Sequence, residues 1–147
     1  MNDEIYQSLF EIVTFFNRPK QDRLLLKKAR VELDKALFPI IMRVGEHQKI
    51  GIVKLADELG RDHSTVSRQV DKLEAAGLLV CGTPNSDGRL REVRLTDRGK
   101  EIEERIIAAR QLLMGEALAD WNDADLAALQ SSLERLARSL AARKEGK

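Results

Sequence analysis

The sequence predicts a mainly α fold with one small β-hairpin, an α+β class, on three observations. Between Gly51 and Gly77 two short amphipathic helical patterns meet at a tight turn. Between Leu78 and Leu95 two short apolar runs flank a segment rich in Gly, Pro, Asn and Asp. Outside them, up to residue 32 and from residue 100 onward, lie helical patterns with apolar stripes of their own. Helix, turn, helix and hairpin in that order is the plan of a winged helix-turn-helix, which makes a nucleic acid the first partner to consider.

The turn organises the rest. Val53, Leu55, Ala56 and Leu59 recur at helical spacing, and Gly60 follows where a helix end favours a left-handed residue. Asp62 then offers a side-chain oxygen to the free amides of a second helix, whose buried stripe is Val66, Val70 and Leu73 and which Gly77 closes. Left facing outward are Ser64, Thr65, Ser67, Arg68, Gln69 and Lys72, hydroxyl, amide and basic groups able to donate to base edges or phosphates. A generic solvated face would carry more glutamate, although helix propensity permits either composition.

In the hairpin, Leu78, Leu79 and Val80 form one strand pattern, and Val93 and Leu95 alternate with Arg94 and Thr96 in the other. Thr83, Pro84, Asn85, Ser86, Asp87 and Gly88 between them favour a turn. Arg89 and Arg91 follow. A loop tip bearing arginine beside the second helix can reach an adjacent minor groove, where narrow A·T-rich segments concentrate negative potential. Asp87 reads either as a turn former or as a carboxylate that orients Arg89 through a charge-assisted bond.

The pieces STVSRQVDKLEAAGLL and DGRLREVRLTDRG resemble the recognition helix and wing of the MarR family, whose wing carries D-x-R followed by L-T-x-x-G. Asp87, Arg89, Leu95, Thr96 and Gly99 occupy those places. The likeness extends to Leu33-Asp34 and GEH upstream and to ADWNDADLAAL downstream, leaving only the N-terminal segment loosely matched. The resemblance implies a dimeric, ligand- or redox-responsive transcriptional regulator, with recognition helices in successive major grooves and wing arginines in the flanking minor grooves. On it we expect a homodimeric repressor of a pseudo-palindromic operator, released by a small ligand. The same elements also suit a winged-helix protein–protein interaction module that does not read DNA.

Composition sets bounds. At 147 residues the chain suits one domain, and small regulators gain core by dimerising. A formal net charge of +1 is far from that of a nucleic-acid packager, so duplex binding requires the basic groups to be segregated on one face. One cysteine excludes an intrachain disulfide. The opening Met1-Asn2-Asp3-Glu4 lacks the positive region of a secretory signal, and no apolar run approaches the roughly 18 residues of a spanning helix. We therefore expect a soluble cytoplasmic protein with no membrane partner.

The flanks read as helices. Ile5, Leu9, Ile12 and Phe16 form a stripe that Arg18-Pro19 interrupts, and a second pattern begins near Lys20 or Gln21 with Leu24, Leu25 and a basic face of Lys27, Lys28 and Arg30. Asp34 is placed to cap a helix containing Leu37, Ile40, Ile41 and Val44, in which Pro39 must either shift the start or kink the axis. Ile50 can supply a minimal third strand. Thr96 is placed to cap a long helix to about Leu118 with Ile102, Ile106, Ala109, Leu113 and Ala117 on one stripe. Asn122 can cap a last helix in which Leu126, Leu129, Leu133, Leu136 and Leu140 make a narrow coiled-coil-like seam. With Ile5, Leu9 and Phe16, these leucines are the expected dimerisation residues. The organisation expected is one domain over 1–147, with N-terminal dimerisation helices at 1–32, the winged region at 33–99 and C-terminal dimerisation helices at 100–147.

No catalytic constellation is legible. His47 and His63 lack a partner at metal-ligand or triad spacing, and there is no glycine-rich phosphate loop, so we expect no enzyme, no metal and no cofactor. Cys81, at the end of an apolar strand, reads as a small half-buried hydrophobe rather than a reactive thiol. A small amphipathic or aromatic effector is the remaining expected partner. Its pocket is expected between the dimerisation helices and the winged region, near the Phe/Leu-rich N-terminal segment and Lys27.

Overall fold

The computed structural model describes residues 1–82 and 91–145. Its elements run α1 (Asn2–Phe16), α2 (Pro19–Ala29), α3 (Phe38–His47), β1 (Lys49–Gly51), α4 (Ile52–Leu59), α5 (His63–Ala75), β2 (Leu79–Cys81), β3 (Glu92–Leu95), α6 (Asp97–Ala117) and α7 (Asp123–Glu145). The fold is mainly helical with a three-stranded antiparallel sheet, as the sequence predicts. Two compact units divide the chain, Met1–Leu112 and Leu113–Lys147.

In the first unit the sheet order is β1-β3-β2, with Val93 paired between Ile50 and Cys81, so the short Ile50 strand closes the hairpin on its second side. Ile50, Leu79, Val93 and Leu95 point from this sheet into a core built with Ile40, Ile41 and Val44 of α3, Leu55 and Ala56 of α4, and Val66, Val70 and Leu73 of α5. The three α5 residues are fully buried, and each such side chain contributes roughly 1.5–3 kcal/mol by leaving water. That anchorage fixes α5 in orientation. A second cluster joins Leu26 and Ala29 of α2 and Val31 to Ile106 and Ala109 of α6.

Three helices end on the same motif. After α2, α4 and α5 a left-handed residue, Arg30, Gly60 and Gly77 respectively, turns the chain. The next amide then reaches back to the last turn: Val31 to Leu26, Arg61 to Ala56 and Leu78 to Leu73, each at 3.0 Å. Pro39 lies in the first turn of α3, where a missing amide costs no hydrogen bond, so it marks the helix start.

Two expected caps are corrected. Asp34 lies ahead of α3, where its Oδ1 accepts from the Ala36 amide at 2.9 Å in a local turn; the N-cap position is Leu37. The turn satisfies the carboxylate before the helix begins. Asp62 does hold the N-cap position of α5, but its side chain makes no capping hydrogen bond, and only its carbonyl is used, by Val66. The other two caps form as expected: Thr96 Oγ1 accepts from the Gly99 amide at 3.0 Å, and Asn122 Oδ1 from the Asp125 amide at 2.8 Å.

Apolar faces remain uncovered. α1 buries none of its residues and exposes Ile5, Tyr6, Phe10, Ile12, Val13, Phe15 and Phe16, while Leu9 is half-buried. In the second unit Leu126, Leu129 and Leu136 are half-buried, and Leu133 and Leu140 are 45% and 57% exposed. No helix among the described residues is long and apolar enough to cross a membrane.

Candidate nucleic-acid interface

The buried stripe of α5 decides what the rest of that helix can present. With Val66, Val70 and Leu73 against the core, Ser64, Arg68 and Lys72 are exposed on the opposite side. Thr65 and Gln69 line one flank of the stripe, and Ser67 and Asp71 line the other. Thr65, Ser67 and Gln69 are half-buried.

Each flank is held by an arginine from another part of the chain. Arg61, in the turn after α4, donates through Nη1 to the carbonyl of Ala36 at 2.8 Å and to Gln69 Oε1 at 3.0 Å. Arg91, at the foot of β3, donates through Nη1 to Ser67 Oγ at 3.3 Å and through Nη2 to Asp71 Oδ1 at 3.0 Å. Its backbone is tied as well, since the Ile52 amide donates to the Arg91 carbonyl at 3.0 Å. The foot of the hairpin is thus braced against α5 by an ion pair whose arginine is only 29% exposed, a setting that screens it less than open solvent.

Sequence reasoning assigned Arg91 to the free tip and left Asp71 out. The structure pairs them. Asp71 is the one acidic side chain on that part of α5, and the ion pair offsets a charge that would otherwise repel a polyanion. Arg61 was also missed; the only signal was a basic residue directly after the turn glycine. Asp87 and Arg89 lie outside the described residues.

Cys81 completes the same corner. Arg91 Nη2 donates to its Sγ at 3.0 Å, and the Cys81 amide donates to Glu74 Oε2 at 3.2 Å. Burial pushes the thiol above its ordinary pKa, with the Arg91 bond pulling the other way. The thiol therefore stays protonated and weakly nucleophilic at neutral pH.

Both histidines are engaged with carboxylates. His47 Nε2 lies 2.8 Å from Glu58 Oε1, and His63 Nε2 lies 3.2 Å from Asp57 Oδ1. Arg43 joins Glu46 and Glu58 at 3.3 and 3.8 Å, linking α3 to α4 beneath the helix-turn-helix. Among the described residues, no group of three or more His, Cys, Asp and Glu could hold a metal ion.

Comparison with known proteins places this geometry. Residues 33–90 match the model of the MarR family. A MarR family protein from Bacillus stearothermophilus is 20% identical and superposes with a TM-score of 0.78 over 96% of this chain and 99% of its own. Wild-type apo MarR from E. coli is 26% identical, with a TM-score of 0.68 over 88% of this chain and 94% of its own. A cysteine-to-serine mutant of that protein, solved in complex with operator DNA, is 25% identical with a TM-score of 0.65 over 88% and 93%. No curated protein matches the chain. The family model falls on α3, β1, the helix-turn-helix and β2, and the structural likeness runs over nearly the whole length: over residues 33–90 the chain is similar to the MarR family, and its fold is that of the solved MarR proteins.

Proposed function

We propose that this chain is a DNA-binding transcriptional regulator, acting as a homodimeric repressor of a pseudo-palindromic operator and released by a small ligand. The observation that carries the reading is the face of α5 on which Ser64, Arg68 and Lys72 are exposed together while Asp71 is matched by Arg91. That segregation answers the near-zero net charge, because affinity for a duplex depends on local cations and not on the total. The relatives solved with DNA, MarR from E. coli and FabT from Streptococcus pneumoniae, support it by fold.

In this reading Ser64, Thr65, Ser67, Arg68, Gln69 and Lys72 enter a major groove, Asp87 and Arg89 serve the adjacent minor groove, and Arg91 fixes the hairpin to α5. A second copy of the chain covers the apolar faces of α1 and α7, through Ile5, Leu9 and Phe16 and through Leu126, Leu129, Leu133, Leu136 and Leu140. Two copies then present two α5 helices, and a ligand that changes their spacing lowers affinity, because successive major grooves lie about 34 Å apart. The whole chain acts as one domain in this scheme, with residues 33–99 as its reading head.

Selection of bound fragments from genomic DNA tests the proposal. Enrichment of fragments sharing an inverted repeat is the expected result. Recovery no greater than from a column without protein would overturn it.

A further inference from the structure

We infer that Arg61 grips a backbone phosphate beside the groove that α5 enters; this rests on the reading of α5 as the duplex-facing helix. Arg61 follows Gly60 in the turn between α4 and α5 and is half-buried. Its partners are two neutral oxygens, the Ala36 carbonyl at 2.8 Å and Gln69 Oε1 at 3.0 Å, and both are reached from Nη1. Among the described residues no carboxylate pairs with it. The contrast with the other flank of α5 is direct, since there Asp71 matches the charge of Arg91. A cation taken partly out of water without a counter-ion gives up hydration that neutral carbonyls restore only in part. An anion arriving from outside supplies the rest.

The donor inventory says which anion suits. A guanidinium carries five N–H donors in one plane, and the two on Nη1 serve Ala36 and Gln69. The Nε proton and the two on Nη2 remain, and Nε with Nη2 forms the parallel fork that fits two oxygens of a phosphate. The anchored Nη1 holds the plane of that fork before a duplex arrives, which lowers the ordering cost of binding. Its place in the fold agrees. In helix-turn-helix docking the first helix crosses the sugar-phosphate backbone while the second enters the groove, and Arg61 stands where α4 hands over to α5. Arg61 thus fixes register on the duplex and reads no sequence.

Salt titration of binding tests the inference. The probes are a duplex recovered by selection with the wild-type protein and the same duplex with one base pair changed in each half-site. Each phosphate contact contributes about 0.9 to the slope of log affinity against log salt. Arg61→Met should lower the slope by about that much in each protomer, so that a rise from about 50 to about 200 mM salt weakens each half-site contact about 3.5-fold less than in the wild type. The affinity ratio between the two duplexes should stay as in the wild type, because a phosphate contact carries no base preference. Arg61→Gln, which keeps a donor for the Ala36 carbonyl, should give the same change and serves if Arg61→Met fails to fold. A weaker but unchanged slope, the mark of a purely structural brace, overturns the inference, as does a loss that falls on one of the two duplexes alone. Wild-type protein that binds no duplex at any salt overturns the duplex-binding reading itself.

Discussion

Replacing Gly99 by alanine should cost this fold about 3 kcal/mol, a large share of the total stability of a domain this size. A Cβ on Gly99 would run into the carbonyl oxygen of Leu78, with the Leu78 carbonyl carbon at 3.2 Å and Leu95 Cβ at 3.3 Å. The obstacle is backbone and cannot rotate away. It must retreat by roughly 1 Å to restore ordinary contact, and overpacking of that kind costs about 1–3 kcal/mol. The same carbonyl accepts from the Thr96 amide at 3.1 Å, and Thr96 Oγ1 donates to the neighbouring Gly77 carbonyl at 2.6 Å. Loosening those two bonds, worth roughly 1 kcal/mol each, puts the cost at the upper end of that range. Urea denaturation is the assay; at a slope of about 2 kcal/mol per molar the midpoint should fall by about 1.5 M. Gly45→Ala is the control, since a Cβ there meets only the carboxylate end of Glu103, which can swing aside, and alanine suits the interior of α3 better. We expect Gly45→Ala to lie within about 1 kcal/mol of the wild type. Equal losses at the two glycines would refute this reasoning.

Three further outcomes follow from the same contacts. Arg30→Gly should stabilise the protein by about 0.5–1 kcal/mol, because Arg30 carries a side chain at φ +57 where glycine is free of the left-handed penalty; a lower urea midpoint would contradict it. Glu103 has its pKa raised, chiefly by burial and then by Glu104 and Glu46, so its protonated form favours the fold. That contribution is complete below the ordinary glutamate range and is lost as pH rises through the folded-state value, so Glu103→Gln should be more stable than wild type at pH 7 and lose its advantage near pH 4. A gain that is instead larger at pH 4 would reverse the assignment. Leu133→Asp should halve the mass in light scattering if the α7 seam joins two copies, since a carboxylate cannot be buried there without a partner; an unchanged dimer mass would remove that seam from the interface.

Much of the fold was legible because its signals are local. The stripe Val66, Val70 and Leu73, the turn glycines Gly60 and Gly77, and the alternation around Val93 each depend on neighbours in sequence, and each appears in the structure. The third strand at Ile50 was legible for the same reason. Capping was less so: Asp34 and Asp62 have the right residue type at a helix start, yet a local turn satisfies Asp34 first, and the Asp62 side chain makes no capping bond.

The candidate site was legible in composition but not in its internal bonding. Ser64, Arg68 and Lys72 are exposed, in keeping with the pattern, whereas Ser67 and Gln69 are engaged by arginines 24 and 8 residues away. Such pairings depend on how the hairpin foot and the turn pack against α5, and no spacing rule in the sequence encodes them. Arg91 illustrates the point, since its neighbours in sequence suggest a free tip and its neighbours in space are Asp71, Ser67 and Cys81.

Methylation interference on a selected duplex tests most directly whether α5 enters the major groove. Dimethyl sulfate marks guanine N7 on the major-groove side and adenine N3 in the minor groove, so one reaction separates the two surfaces. The account predicts that guanine N7 methylation blocks binding in two segments centred about 34 Å apart along the helix. Full binding to duplexes methylated at every guanine N7, with interference only at adenine N3, would contradict it.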